Sequence, residues 1–249
     1  MAFGTFIAIW HFKEEILPLE NDPRYGVTFT PYTKWFELGA ISRLNSLFFL
    51  LLPIIASIPF ADTYLKDKQT GFLLSVFSRG HIKDYFTKLF LTNYLVSGLV
   101  VTFPLILNVY LAFMFLPNIS PDPVVNDLTN ISSLNTLFPD LYYNYPFFHI
   151  LIYIFIAFLF AGLYASISLS VSLYLNNRFI VILFPFIVQM FLSMFYQLIG
   201  KSHLDPTSMI QQLSGYLGVT FSGLVLTFVF GMIICIGLYI FGVKKLVIQ

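Results

Sequence analysis

Residues 62–88 read DTYLKDKQTGFLLSVFSRGHIKDYFTK, the one long charged run between two strongly apolar segments of the chain. Lys66, Lys68, Arg79, Lys83 and Lys88 lie in it, five of the thirteen Lys and Arg residues. On both sides the chain reads as lipid-compatible span or the loops between spans. Of 249 residues, 58% are hydrophobic and 10% charged, where a soluble domain would carry roughly 25% charge. Leu, Ile, Phe and Val dominate, with Phe 30 times and Tyr 15 times. That composition belongs to an integral membrane protein. A crossing helix needs about 20 mostly apolar residues, so five or six spans fit. The net charge of +1 gives no reason to expect a nucleic-acid partner.

Outward from this charged elbow the chain divides into spans at about 41–61 and 89–116, then 146–175, 179–199 and 219–243. Pro53 and Pro59 are expected to kink the first of these, and Pro104 and Pro185 interrupt two others. Residues 13–40, 117–145 and 200–218 are polar connections rich in Pro, Asn, Ser or acids. Between residues 161 and 172, Ala161, Gly162, Ala165, Ser166, Ser168, Ser170 and Ser172 predict a face packed closely on another helix. The opening MAFGTFIAIWHF is apolar but too short to span and lacks the basic start and cleavage site of a signal peptide. It reads as the outer part of a first, partial span at 1–12 whose inner half is missing or replaced, which is the expectation of a truncated N-terminus.

Charge sets the expected orientation. Grouping the elbow, the 176–178 turn and the C-terminus collects Lys66, Lys68, Arg79, Lys83, Lys88, Arg178, Lys244 and Lys245 on one side. The other side holds Lys13, Arg24, Lys34, Arg43 and Lys201. The side richer in Lys and Arg is cytoplasmic, so six spans put both termini in the cytoplasm.

No motif of known chemistry occurs. There is no phosphate-binding loop, no HExxH and no GxSxG, so no catalytic residue is assigned and the chain is not expected to be an enzyme by itself. The span interiors hold almost no ionisable residue, which argues against ion-coupled transport. His149 and His203 stand without a second ligand at metal-site spacing, so no metal is expected. Cys235 has no partner for an intrachain disulfide and reads as a small apolar-site residue. Asn118-Ile-Ser and Asn130-Ile-Ser match the short glycosylation pattern, which has no meaning in a bacterium.

The elbow therefore carries the functional reading. Phe72, Leu73, Val76 and Phe77 fall at helical spacing, and Gly71 and Gly80 bracket a short predicted helix over residues 71–79. Such an amphipathic helix fits a groove on a partner, or lies flat on the lipid surface with its basic residues near phosphates.

Asp62, the charges from Lys66 to Lys68, Gly71, Leu73, Leu74, Ser78, Arg79, Tyr85 and Lys88 together resemble the elbow of type-2 ABC transporter permeases. The likeness extends to the six-span plan, the 176–178 turn and the polar excursion before the last span. Where the family often has a Glu shortly before the Gly, this chain has Lys68 and Gln69. The resemblance implies the six-helix transmembrane domain of an ABC exporter in a plasma membrane. The elbow becomes a coupling helix, with Lys66, Lys68, Gly71, Phe72, Leu73, Val76, Phe77 and Arg79 meeting a cytoplasmic ATP-binding subunit. Two such ATPase subunits, carrying ATP and Mg, would serve a pair of permeases, identical or related. Residues 201–214 would form short re-entrant helices. The long loops resemble those of permeases that export, or give immunity to, antimicrobial peptides in Gram-positive bacteria, and an aromatic pathway suits amphipathic or hydrophobic cargo. Two other readings stand beside it: a non-transporting sensor or anchor with loop 117–145 as receptor, and a lipid-modifying membrane enzyme, for which the His, Asp and Glu residues are scattered.

Overall fold

The structure is a computed structural model that describes residues 2–17, 30–35, 43–78, 80, 82–122, 136–214 and 218–248. Those residues form helices and connections, with no strand among them. In chain order the helices are α1 (Ala2–His11), α2 (Pro31–Lys34), α3 (Arg43–Ser57), α4 (Thr63–Gln69), α5 (Phe72–Ser78) and α6 (Ile82–Phe115). They continue as α7 (Pro139–Asn144), α8 (Pro146–Ser172), α9 (Arg178–Leu198), α10 (Pro206–Ile210) and α11 (Phe221–Ile248). A π-helical turn, Phe12–Ile16, extends α1, and a 3-10 turn, Ser202–Leu204, precedes α10.

Among the described residues four helices are long and apolar enough to cross a membrane: Ile82–Phe115, Pro146–Ser172, Arg178–Leu198 and Phe221–Leu246. This is an all-helical membrane protein. Two of the expected spans are short over the described residues: α1 with its π-helical turn covers 2–16, and α3 has 15 residues, about 22 Å of helix against the roughly 30 Å of a hydrocarbon core. Within the expected span at 41–61 the regular helix ends at Ser57, where Pro59, which has no N–H, cannot donate to the Ile55 carbonyl and continue the ladder. In the other direction α6 starts at Ile82, seven residues before the expected 89. Lys83, Asp84 and Lys88 do not break it, since charges on first turns that reach beyond the apolar layer stay hydrated. At 34 residues α6 is about 51 Å long and has those turns to spare.

α8 sits at the centre, and α6, α3, α9 and α11 pack around it. Small residues allow the close approach. A Cβ added to Gly162 would lie 2.6 Å from the Tyr94 ring, and one added to Gly98 would lie 2.5 Å from the Phe158 ring. The pairs 94 with 162 and 98 with 158 make α6 and α8 antiparallel. α1 runs parallel to the far part of α6, with Gly4 against Pro104, the Asn108 amide donating to the Ala8 carbonyl at 3.3 Å, and Phe12 on Phe115 at 4.7 Å. α9 and α11 bury little of their apolar surface within the chain. Their bare faces, with Phe179, Phe191 and Leu198 on one and Leu226, Phe230 and Phe241 on the other, are the faces a bilayer would cover.

Local signals place the ends. Asn177 caps α9 by accepting from Phe179 N at 3.0 Å, and Pro139, Pro146 and Pro206 open α7, α8 and α10. Gly71 and Gly80, at φ +75° and +73°, turn the chain on either side of α5.

Candidate functional site

The elbow folds as a helix, a glycine turn and a second helix, α4 then α5, returning to α6. Its base is an ion-pair knot. Asp62, 4% exposed, receives Arg178 Nε on Oδ2 at 2.8 Å, together with an Arg178 Nη2 contact to the same oxygen. Lys66 Nζ stands 3.0 Å from Oδ1. Burial alone would raise the Asp62 carboxyl. Hydrogen bonds from Arg178 and Lys66, and their charge, outweigh it and hold the carboxyl below its ordinary value. Lys68 Nζ donates to Asn176 Oδ1 at 3.1 Å, and the Tyr85 hydroxyl to Asp67 Oδ2 at 2.5 Å. The knot thus joins the start of α4 to the 176–178 turn and α9, and Tyr85 ties α4 to α6.

The expected stripe on α5 is not one free face. Leu73 is 7% exposed and packs, with Phe77 against it, into a cluster of Tyr64, Leu65, Phe86 and Tyr239. Val76 is half-buried. The free apolar surface is Phe72, 50% exposed, and Leu74, 74% exposed. The correction has a simple cause: Leu73 and Phe77 are one helical turn apart and share the side that faces the chain's own core. Lys66 and Lys68 are half-exposed or exposed while paired. Arg79 lies outside the described residues.

At the opposite end of the bundle the structure assembles polar clusters that sequence reasoning missed. Asp205, at the head of α10, folds back against α9. Its Oδ1 accepts from Ser193 Oγ at 2.8 Å, from Gln189 Nε2 at 3.1 Å and from Thr207 N at 3.3 Å. Gln189 also contacts Thr207 Oγ1 and accepts from the Tyr164 hydroxyl of α8. Burial pushes the Asp205 carboxyl up, and the hydrogen bonds from Ser193, Thr207 and Gln189 oppose that only in part. The sequence signal was Asp205-Pro206, a capping residue before a helix-opening proline; nothing in it marked Gln189 as the partner, 16 residues away.

A second cluster surrounds His149, expected to be an isolated polar residue and instead fully buried. Trp35 Nε1 donates to Gln212 Oε1 at 2.7 Å, Gln212 Nε2 meets His149 Nδ1 at 2.9 Å, and His149 Nε2 meets the Leu137 carbonyl at 2.8 Å. The Tyr153 hydroxyl accepts from Leu137 N at 2.9 Å and meets Thr136 Oγ1 at 3.1 Å. Phe138, next in the chain, takes the left-handed φ of +55° that lets residues 136–137 turn in toward α8 while α7 starts. Within the spans, Asn93 and Ser97 on α6 and Ser166 on α8 are buried with side-chain polar atoms that find no hydrogen-bond partner among the described residues. No group of three or more His, Cys, Asp or Glu side chains gathers among the described residues into a metal-binding arrangement.

Compared with known proteins, the chain matches no family model, no curated protein and no solved structure.

Proposed function

We propose that this chain is the permease subunit of an ABC transporter. It moves an amphipathic or hydrophobic substrate, such as an antimicrobial peptide, across a bacterial plasma membrane. A separate cytoplasmic ATPase subunit, in two copies, supplies the energy by hydrolysing ATP with Mg, and a second permease, identical or related, completes the pathway. The observation that carries the reading is the elbow: a short helix, α5, bearing exposed Phe72 and Leu74, held on a base tied to α6 and α9. An apolar helix face suits a groove on a partner. A push on α5 would be passed through Leu73 and Phe77 to the cluster around Phe86 and Tyr239, and through Asp62 and Arg178 to α9. Among the described residues of this end the polar side chains are paired or solvated and none is arranged as an acid, base or nucleophile, which favours mechanical coupling over chemistry.

The test is co-purification with a co-expressed candidate ATP-binding subunit. The pair Phe72→Asp and Leu74→Asp, both on exposed positions, should abolish co-purification while leaving the elution profile of the isolated chain in detergent unchanged. If the double variant retains the ATPase subunit as the native chain does, the coupling assignment is wrong.

A further inference from the structure

The hydrogen-bond relay at the loop end has a fixed direction. An indole N–H can only donate, so Gln212 must present Oε1 to Trp35. Gln212 then turns its amide nitrogen to His149, and Nδ1 of His149 must accept. The ring hydrogen is left on Nε2, where it is donated to the Leu137 carbonyl. Trp35, Gln212 and His149 are at most 1% exposed, so no bulk water substitutes for a lost partner. A proton on Nδ1 would set two donors face to face. Turning the Gln212 amide over would repair that contact, but would set its nitrogen against the Trp35 N–H, a second pair of donors. No amide orientation satisfies both neighbours.

We propose that His149 is a proton-operated catch: its neutral ring docks residues 30–35 and 211–214 onto α8, and its protonation releases them. Among the described residues the titratable groups against the ring are Tyr142 of α7, centroids 5.4 Å apart, and Tyr153 of α8, 5.1 Å apart. The Tyr142 hydroxyl is buried with no hydrogen-bond partner among the described residues. The other titratable side chains on the elements packed there are Tyr32 and Lys34 of α2, Asp140 and Tyr143 of α7 and Tyr110 of α6, with His11 of α1 held against Asn108 of α6; residues 211–214 have none. The knot at Asp205 responds to acid in the opposite sense, because its raised carboxyl is favoured in the neutral form. Acid release of residues 211–214 therefore has its source in His149 and not in Asp205. The proposal does not depend on the permease reading.

The experiment is hydrogen exchange on the full chain in lipid nanodiscs, read on peptides covering residues 30–35 and 205–214. Lowering pH from about 7.5 to about 4.5, and correcting for intrinsic exchange, should raise the rate in both peptides by about tenfold or more. His149→Gln keeps an acceptor and a donor but cannot charge, and should exchange alike at both pH values. Trp35→Phe removes the obligate donor, so the Gln212 amide can turn and accept from the charged ring; acid release of residues 211–214 should be lost. Protection in the native chain that stays unchanged down to the lower pH overturns the proposal. So does a Trp35→Phe chain that releases residues 211–214 as the native chain does.

Discussion

Two buried carboxylates in this chain sit in opposite environments. Asp62 is paired with two cations that hold its carboxyl below the ordinary value; Asp205 accepts from the neutral donors Ser193, Gln189 and Thr207, and burial pushes its carboxyl up. For Asp62 the folded value is depressed, so its contribution is present at neutral pH and is lost as pH falls through that depressed value. For Asp205 the folded value is raised, so its contribution is present in acid, below the ordinary carboxylate value, and is lost as pH rises through the raised one. Asp205→Asn keeps the Oδ1 acceptor used by Ser193, Gln189 and the Thr207 amide while removing the charge. It should raise the thermal midpoint above that of the native chain at about pH 8, with the gain shrinking as pH falls toward the ordinary carboxylate range and the native side chain takes up its own proton. Melting curves across that pH interval check this, and a gain that grows in acid would reverse the sign. Both aspartates are visible in the sequence as residues near span ends. Their opposite states depend on Arg178 and Gln189, which lie 116 and 16 residues away in the chain.

At the scale of elements, the long apolar helices and the short elbow helix were readable from period and punctuation. Gly71 and Gly80 bracket α5 because a left-handed turn on each side favours a residue without a Cβ. The small-residue run of α8 correctly marked the most enclosed helix: Ala161, Gly162, Ala165, Ser166, Ser168, Ser170 and Ser172 are all buried. The use of the α5 stripe was not readable, because helical spacing tells which residues share a side and not what that side meets. The closest test of packing is the α6–α8 crossing. Gly162→Ala would put its Cβ against a Tyr94 ring whose hydroxyl is held by the Leu159 carbonyl at 3.2 Å. Tyr94 must shift and weaken that bond, so stability in detergent should fall by about 1–3 kcal/mol. No cost, and a gain of up to about 1 kcal/mol from helix propensity, is expected for the same change at Gly237, where an added Cβ meets nothing within 4 Å; comparing the two unfolding midpoints separates packing from helix propensity.

For the whole molecule, the charge distribution and the fold make one joint prediction. The elbow end carries Lys66, Lys68, Lys83, Lys88, Arg178, Lys244 and Lys245, and the positive-inside rule predicts that it faces the cytoplasm. Cys235 is buried beside Ser170 and gives a quiet background when changed to Ser. In that background Leu74→Cys should react with a membrane-impermeant maleimide only after cells are opened, and Ile119→Cys should react in intact cells. The reverse pattern would invert the predicted topology and overturn the proposal that a cytoplasmic ATPase subunit meets α5.

Sequence alone determined that this chain is a helical membrane protein, where its long apolar segments lie, and that residues 62–88 interrupt them as a charged elbow. Those properties follow from local composition, since lipid compatibility and helical period are set by residues close in the chain. Only the tertiary structure decided that Leu73 and Phe77 face inward, and that the loop end is closed by relays through Asp205 and His149. Each of these depends on which distant segment reaches the same place. A buried polar side chain must find its partner wherever the fold puts one, and in this chain the partners of Asp62, Asp205 and His149 come from separate helices and loops.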